Sequence, residues 1–229
     1  MHTASYFTPA TFTFLRELAA NNSRDWFESN RHRYESDLRQ PSVRFITDFA
    51  PSLGKISGHF RADPRPVGGS LFRIHRDVRF SKDKSPYKTY AGIHFRHFEA
   101  RSAHAPGFYL HLQPGQVFVG AGIWRPDAPT LEKIRRRIVE DPAGWKKAAK
   151  GKAFRARFEL SGDSLVRPPR GLDPDHPLIE DLKRKDFIGV ARLDESSATG
   201  PGFMKEFTAL CRSGAALNRF ICEALDIAH

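Results

Sequence analysis

Six cations and two carboxylates fall within the sixteen residues from Arg73 to Lys88, interleaved with Phe80 and Tyr87. A solvated helix face would space its apolar residues by three and four. Here apolar and charged residues come at near-alternate positions and the run breaks at Pro86, so the spacing predicts a strand running into a shaped loop. Strand alternation puts Phe72, Ile74, Val78 and Phe80 on the core side and carries Arg76 with them. A buried guanidinium needs a carboxylate partner, and Asp77 and Asp83 are the nearest in sequence. Those two acids cannot also neutralise Arg73, Arg79, Lys82, Lys84 and Lys88, so some of these cations meet solvent, a distant acid or an anion. Arg offers a planar fork to carboxylate or phosphate, Lys a flexible point charge, and the Tyr87 hydroxyl one more donor. The chemistry predicted is an anion clamp of Arg73, Arg79, Lys84, Tyr87 and Lys88, framed by ion pairs of Arg76, Asp77 and Asp83. Its ligand would be a small molecule bearing phosphate or carboxylate. A salt-bridge lattice pinning a long loop to the sheet uses the same residue types and is an equal reading. Were the segment catalytic, Asp77 or Asp83 would be the general base or metal ligand, and Lys84 or Tyr87 the proton donor.

Other chemical words in the chain are weaker. Gly162-Asp163-Ser164-Leu165 and Asp173-x-x-His176 spell the two triad blocks of a class of serine esterases. Here a short Pro-rich loop separates them and nothing marks an oxyanion hole, so the words count as coincidence. No Gly-x-x-x-x-Gly-Lys-Ser/Thr loop occurs, and Gly120-x-Gly122 lacks the third glycine of a dinucleotide site. His94 and His97, three apart on a strand, point to opposite faces, which argues against a joint metal site. Cys211 and Cys222 share one helical stretch without zinc spacing and read as buried reduced thiols. No cofactor and no metal is assigned.

The elements that must position the basic segment follow from periodicity. Thr8 and Pro9 open a helix whose core side is Phe12, Leu15 and Ala19 and which stops near Asn21-Asn22, with Phe7 and Phe12 as its staple. A second helix from Asn22 or Ser23 buries Phe27, Tyr34 and Leu38. A third, after Pro41, buries Phe45, Phe49 and Leu53 and is kinked or split at Pro51. Ala62 to Gly69 is a loop, after which the period becomes two: Phe72 and Ile74 open one strand, and Ile93 and Phe95 lie in another. Phe108–Gln113 and Gln116–Trp124 make a hairpin about Pro114-Gly115. In that register Leu112 faces Val117, Leu110 faces Val119 and Phe108 faces Ala121. The other face holds Tyr109, His111, Phe118 and Trp124 beside Gly120 and Gly122, a trough expected to seat a covering helix ahead of a ligand. Leu131, Ile134 and Ile138 mark a helix, and Asp141-Pro142 starts a short one ending at Gly151. Phe154 to Leu160 alternates as a strand, and Phe187 to Leu193 is a further strand. Phe203, Phe207, Leu210, Leu217 and Ile221 line one face of a closing helix. The fold class predicted is α+β: N-terminal helices, a central, mostly antiparallel sheet and C-terminal helices packed on it. The whole chain, 1–229, reads as a single domain, helical over 1–60, sheet-centred over 70–195, with the closing helix at 201–228.

A formal charge of +11 favours encounter with polyanions, and residues 61 to 101 hold ten Arg or Lys against four Asp or Glu. Nucleic-acid binding is therefore the alternative to a small anionic ligand. An interaction protein with a wholly structural lattice is the third reading. Residues 102 to 124 lack charge but are interrupted by Pro106, Pro114 and His111, unlike a membrane span, so no membrane partner is expected. The N-terminus lacks the regions of a secretory signal, which makes the cytoplasm the expected location; oligomeric state is not assigned. Arg73, Arg76, Asp77, Arg79, Phe80, Asp83, Lys84 and Tyr87, at their spacing, resemble the signature of a bacterial family of uncharacterised proteins of similar length. The resemblance extends to Asn21-Asn22 with Trp26-Phe27, to Ser85-Pro86-Tyr87-Lys88, and to the glycine-rich hairpin ending at Trp124. It implies a shared site at these positions and carries over no activity, cofactor or catalytic residue.

Overall fold

In the computed structural model, which describes residues 5–99 and 105–229, helices precede and follow a five-stranded antiparallel sheet. Helix α1 (Pro9–Ala20) has Pro9 in its first turn, where no backbone N–H is needed, and the Thr11 hydroxyl accepts the Thr8 N–H at 3.2 Å. Its buried side is Phe12, Phe14, Leu15 and Leu18; Ala19, expected there, is exposed because one further residue turns it away from Leu18. Ser23 caps α2 (Arg24–Ser29) by accepting the Trp26 N–H at 3.3 Å. A short α3 (Arg31–Arg33) then widens into a π-helical turn, Tyr34–Arg39, before α4 (Gln40–Gly54). The cause is Pro41, which has no N–H to offer the Asp37 carbonyl one turn back. That carbonyl accepts the buried Thr11 hydroxyl instead, at 2.7 Å. Tyr34 and Leu38 thus lie in the π-helical turn, not in a continuation of α2. Helix α4 buries Phe45, Phe49 and Leu53 and is not split at Pro51.

Strands β1 (Ala91–Arg96), β2 (Gly107–Gln113), β3 (Gln116–Ile123), β4 (Glu159–Ser161) and β5 (Phe187–Leu193) are ordered β1-β2-β3-β5-β4. The β2–β3 hairpin turns at Pro114-Gly115 with Gly115 at φ 73°, and pairs Leu112 with Val117, Leu110 with Val119 and Phe108 with Ala121. Between β3 and β5 run α5 (Ala128–Glu140), α6 (Pro142–Lys150), α7 (Lys152–Arg155) and α8 (Ile179–Leu182). Phe154 to Leu160 is not one strand. Phe154 closes α7 and stacks on Phe158 at 5.3 Å, the four-residue spacing of a helical turn, and only Glu159–Ser161 pairs with β5. Arg155, Arg157 and Glu159 alternate with apolar residues, a pattern that a single helical turn leading into a strand produces equally well.

After α9 (Glu195–Thr199), helix α10 (Phe203–Ala224) packs on the sheet. Gly214 lets it approach Ala121, and the buried Asn218 amide accepts the Gly122 N–H at 3.0 Å and donates to the Gly107 carbonyl at 3.1 Å. Phe45, Phe49, Phe95, Phe203 and Phe207 form the aromatic centre of the core between α4, β1 and α10. Cys211 and Cys222 are both free and buried, and burial pushes the Cys222 thiol up to about 12. Among the described residues no helix is long and apolar enough to cross a membrane.

Candidate functional site

The segment before β1 is not a strand. Ser70 and Phe72 bond the outer edge of β1, through His94 N–H to Ser70 O at 2.8 Å and Phe72 N–H to Gly92 O at 2.9 Å. The chain then leaves the sheet as a long loop with two paired arms. Arg76 N–H donates to Pro86 O and Lys88 N–H to Ile74 O, both at 2.8 Å, with His75 bridged to Tyr87. Burial still alternates as expected, with Phe72, Ile74, Arg76 and Val78 more buried than Arg73, His75, Asp77 and Arg79, but the pattern ends at the tip, where Phe80 is 96% exposed.

Charged side chains stitch that tip. Arg76, its side chain 26% exposed, pairs with Asp83 and donates to Ser85 O at 3.2 Å. Arg79 grips Asp77 through Nε at 3.0 Å and Nη2 at 2.7 Å, and the ammonium of Lys84 donates to Val78 O at 3.0 Å. Both carboxyls are held down to about 2. The Arg79 guanidinium does this at Asp77; at Asp83 the Ser85 hydroxyl and N–H lead, followed by Arg76. Tyr87 is a core residue at 3% exposure, stacked on Phe27 with centroids 4.1 Å apart. Its backbone is clasped by Asn22, whose Oδ1 accepts the Tyr87 N–H and whose Nδ2 donates to the Tyr87 carbonyl, each at 3.0 Å. The loop is therefore bolted to the start of α2 across 65 residues of sequence.

Arg73 and Lys88 differ from the rest. They lie where the two arms meet the sheet, and the Lys88 ammonium donates to Arg73 O at 2.8 Å and sits 5.6 Å from the centre of the Phe72 ring. Among the described residues neither forms an ion pair with an acid. Burial lowers the Lys88 pKa first, and the neighbouring Arg73 charge lowers it further.

Below this corner lies the sheet face away from α10. Strand pairing sets two rows across it: Gly92, His111, Phe118 and Arg192, and beside them His94, Tyr109, Gly120 and Val190. The covering helix expected here is absent among the described residues. Helices α4, α7 and α10 pack on the opposite face, where Phe95, Ala121 and Gly189 point. Phe72 and Tyr90, on either side of the basic segment, lean over these rows instead, Phe72 over Gly92, His94 and Tyr109 and Tyr90 over His111. Tyr90 lies 4.6 Å from His111, and His111 stacks on Phe118 at 4.6 Å and 14°. With Gln113 Oε1 accepting from His111 Nε2 at 3.0 Å, His111 Nδ1 is left to accept the Tyr109 hydroxyl at 3.2 Å. Burial lowers the His111 pKa, opposed by its hydrogen bond to Gln113, and burial raises the Tyr109 phenol. Trp124 lies beyond the end of β3, 51% exposed, with the Arg125 guanidinium 4.8 Å from its ring centre.

The other sequence words form no site. The Asp163 N–H is held by Asp186 at 2.8 Å, His176 Nδ1 accepts the Leu178 N–H at 3.1 Å, and no hydrogen bond joins Ser164 to His176 among the described residues. Nor do the described residues gather three or more His, Cys, Asp or Glu that could hold a metal ion. Sequence reasoning passed over Tyr90 and Phe72 as parts of the sheet face. Their only signal was proximity to β1, which became meaningful once Gly92 was paired with His111.

A family model described as "Conserved hypothetical protein (DUF2461)" matches residues 10–220. No curated protein and no solved structure matches the chain.

Proposed function

The chain belongs to the DUF2461 family of conserved hypothetical proteins, and for this member we propose binding of a small phosphate- or carboxylate-bearing ligand at the corner formed by Arg73 and Lys88. One observation carries the reading: the half-buried Lys88 ammonium has no ion-pair partner among the described residues and lies in the field of the exposed Arg73, whose only acidic neighbour in that field, Asp77, is already gripped by Arg79. Like charges brought together at a partly desolvated position oppose folding, and a bound anion relieves both the repulsion and the desolvation. The Arg73 fork suits two oxygens of the anion, and the Lys88 ammonium a third. Arg79, Lys84 and Tyr87 take the supporting part, since their donors or rings already serve the loop, and Arg76 with Asp83 closes its tip.

The test is thermal unfolding with phosphate, pyrophosphate, acetate and citrate at low and high salt. A ligand at a hundred times its dissociation constant adds about 2.7 kcal/mol, which in a chain of this size raises the midpoint by roughly 5 to 10 °C. The shift should vanish in Arg73→Ala and persist in Arg79→Ala. An unresponsive wild type, or equal shifts in wild type and Arg73→Ala, would overturn the reading and leave the segment as a structural lattice.

A second reading, single-stranded nucleic acid at the loop tip, is favoured by the exposed Phe80 ring between Arg79 and Lys82. Bases stack on such rings and phosphates follow such charges. Its mark is oligonucleotide affinity that falls steeply with log salt and is lost in Phe80→Ala; salt-independent or absent binding rejects it.

A further inference from the structure

We infer that the ligand at Arg73 and Lys88 carries a planar aromatic ring, making it an aryl or nucleobase phosphate whose ring lies on the aromatic sheet face. This rests on the anion reading above. The cationic corner and the aromatic face are continuous: Lys88 Nζ is 5.6 Å from the Phe72 ring, and that ring is 6.0 Å from Tyr109. One ammonium-to-ring step and one ring-to-ring step separate them, a span suited to a phosphate joined to a ring by a short linker.

The makeup of the face points the same way. Phe72, Tyr90, Tyr109 and Phe118 all keep part of their surface open to solvent. On the outer face of an antiparallel sheet, polar residues usually alternate with the buried ones; here the outward positions of β1, β2 and β3 nearest the corner are Gly92, His94, Tyr109, His111, Phe118 and Gly120, with Val190 and Arg192 following on β5. Gly92 is bare because the Tyr109 hydroxyl and the Phe72 ring lie over it, and any side chain would strike them. Gly120 is different. A methyl group there would meet Tyr109 only at ordinary contact distance, 3.5 Å, so no steric conflict with these neighbours requires a glycine. Gly120 is itself buried, and its lack of a side chain leaves the sheet low between Tyr109 and the partly open Phe118 ring. His111 is buried, stacked on Phe118 with Tyr90 4.6 Å away, and its burial disfavours the cation, so it backs the Phe118 ring without adding a charge beneath it. Arg73 and Lys88 supply charge at one end and the Phe72, Tyr109 and Phe118 rings apolar surface beyond it, as an amphipathic monoester requires, with Arg192 exposed at the far side of Phe118.

Isothermal titration of the full chain with inorganic phosphate, phenyl phosphate and a nucleoside monophosphate provides the test. At least one ring-bearing phosphate should bind on the order of tenfold tighter than phosphate alone, about 1.4 kcal/mol. Phenyl phosphate and nucleotide together tell a bare aryl group from a nucleobase. In Gly120→Val, which fills that low position without touching Arg73 or Lys88, the advantage should disappear while the affinity for inorganic phosphate stays. Phe118→Ala should act likewise, so the conclusion does not depend on one variant folding. Phosphate bound through Arg73 with no gain from either ring, or a gain that survives in both variants, would overturn the ring and leave the anion site intact. Absence of binding by all three would remove the anion site and this inference together.

Discussion

Asn22→Ala tests whether the basic loop is held from α2 as the geometry indicates. Asn22 makes two hydrogen bonds to the Tyr87 backbone, one as acceptor and one as donor, each at 3.0 Å. A typical intramolecular hydrogen bond contributes about 1 kcal/mol net, and a group left unpaired while partly buried costs more. Removing the pair should therefore cost about 2 kcal/mol. A domain of 150–250 residues loses roughly 2 to 4 °C of midpoint per kcal/mol, so the expected fall is roughly 4 to 8 °C. Thermal unfolding followed by circular dichroism reads that value. Amide hydrogen exchange gives the local consequence, because the Tyr87 N–H should lose protection while the β2–β3 hairpin keeps its own. The anion affinity carried by Lys88, the next residue, should weaken in step. A midpoint indistinguishable from wild type with unchanged Tyr87 protection would refute the clasp, and with it the account of how the loop is positioned.

Arg76→Ala and Arg79→Ala should separate in urea denaturation. Arg76 serves Asp83 and the Ser85 carbonyl from a mostly buried position and should cost about 1 to 2 kcal/mol, whereas breaking the exposed Arg79–Asp77 pair should leave the urea midpoint close to that of wild type. Equal losses would show that the two pairs carry the loop alike. Acid should undo the tip at an unusually low pH. Asp77 and Asp83 are both depressed to about 2, so their contribution is complete above the ordinary carboxyl range near 4 and is lost as pH falls from there through 2. The backbone N–H groups of Arg79 and Ser85, which donate to these two carboxylates, report the titration directly by nuclear magnetic resonance. Midpoints near 4 in place of 2 would contradict the hydrogen bonding described.

Much of this molecule is local in origin and was readable as such. Pro9 after Thr8, Ser23 before Arg24 and Asp141 before Pro142 start helices because caps are matters of adjacent residues. Pro114-Gly115 fixes the hairpin register, and with it the apolar row of Leu110, Leu112, Val117 and Val119, because a two-residue turn leaves one pairing. The α+β class and the closing helix over Phe203, Phe207, Leu210, Leu217 and Ile221 follow from period alone. Three outcomes depended on partners distant in sequence. The π-helical turn needed Thr11 to satisfy the Asp37 carbonyl freed by Pro41. Phe80 left the core because the Arg73–Lys88 segment pairs with itself as a loop and not with β1 along its length, so the alternate burial that holds through Val78 has no sheet to pack on at the tip. The face of Tyr109, His111 and Phe118 acquired Phe72 and Tyr90 where a helix was expected, since α10 was drawn to the opposite face by Gly214 and Asn218. The sequence by itself determined which residues are charged, which are aromatic and where chain segments turn. Only the tertiary structure decided that Arg79 and Lys84 bond within their own loop while Lys88 is left half-buried beside Arg73 without an ion-pair partner among the described residues, because pairing among many cations and few carboxylates depends on distances that no local pattern encodes.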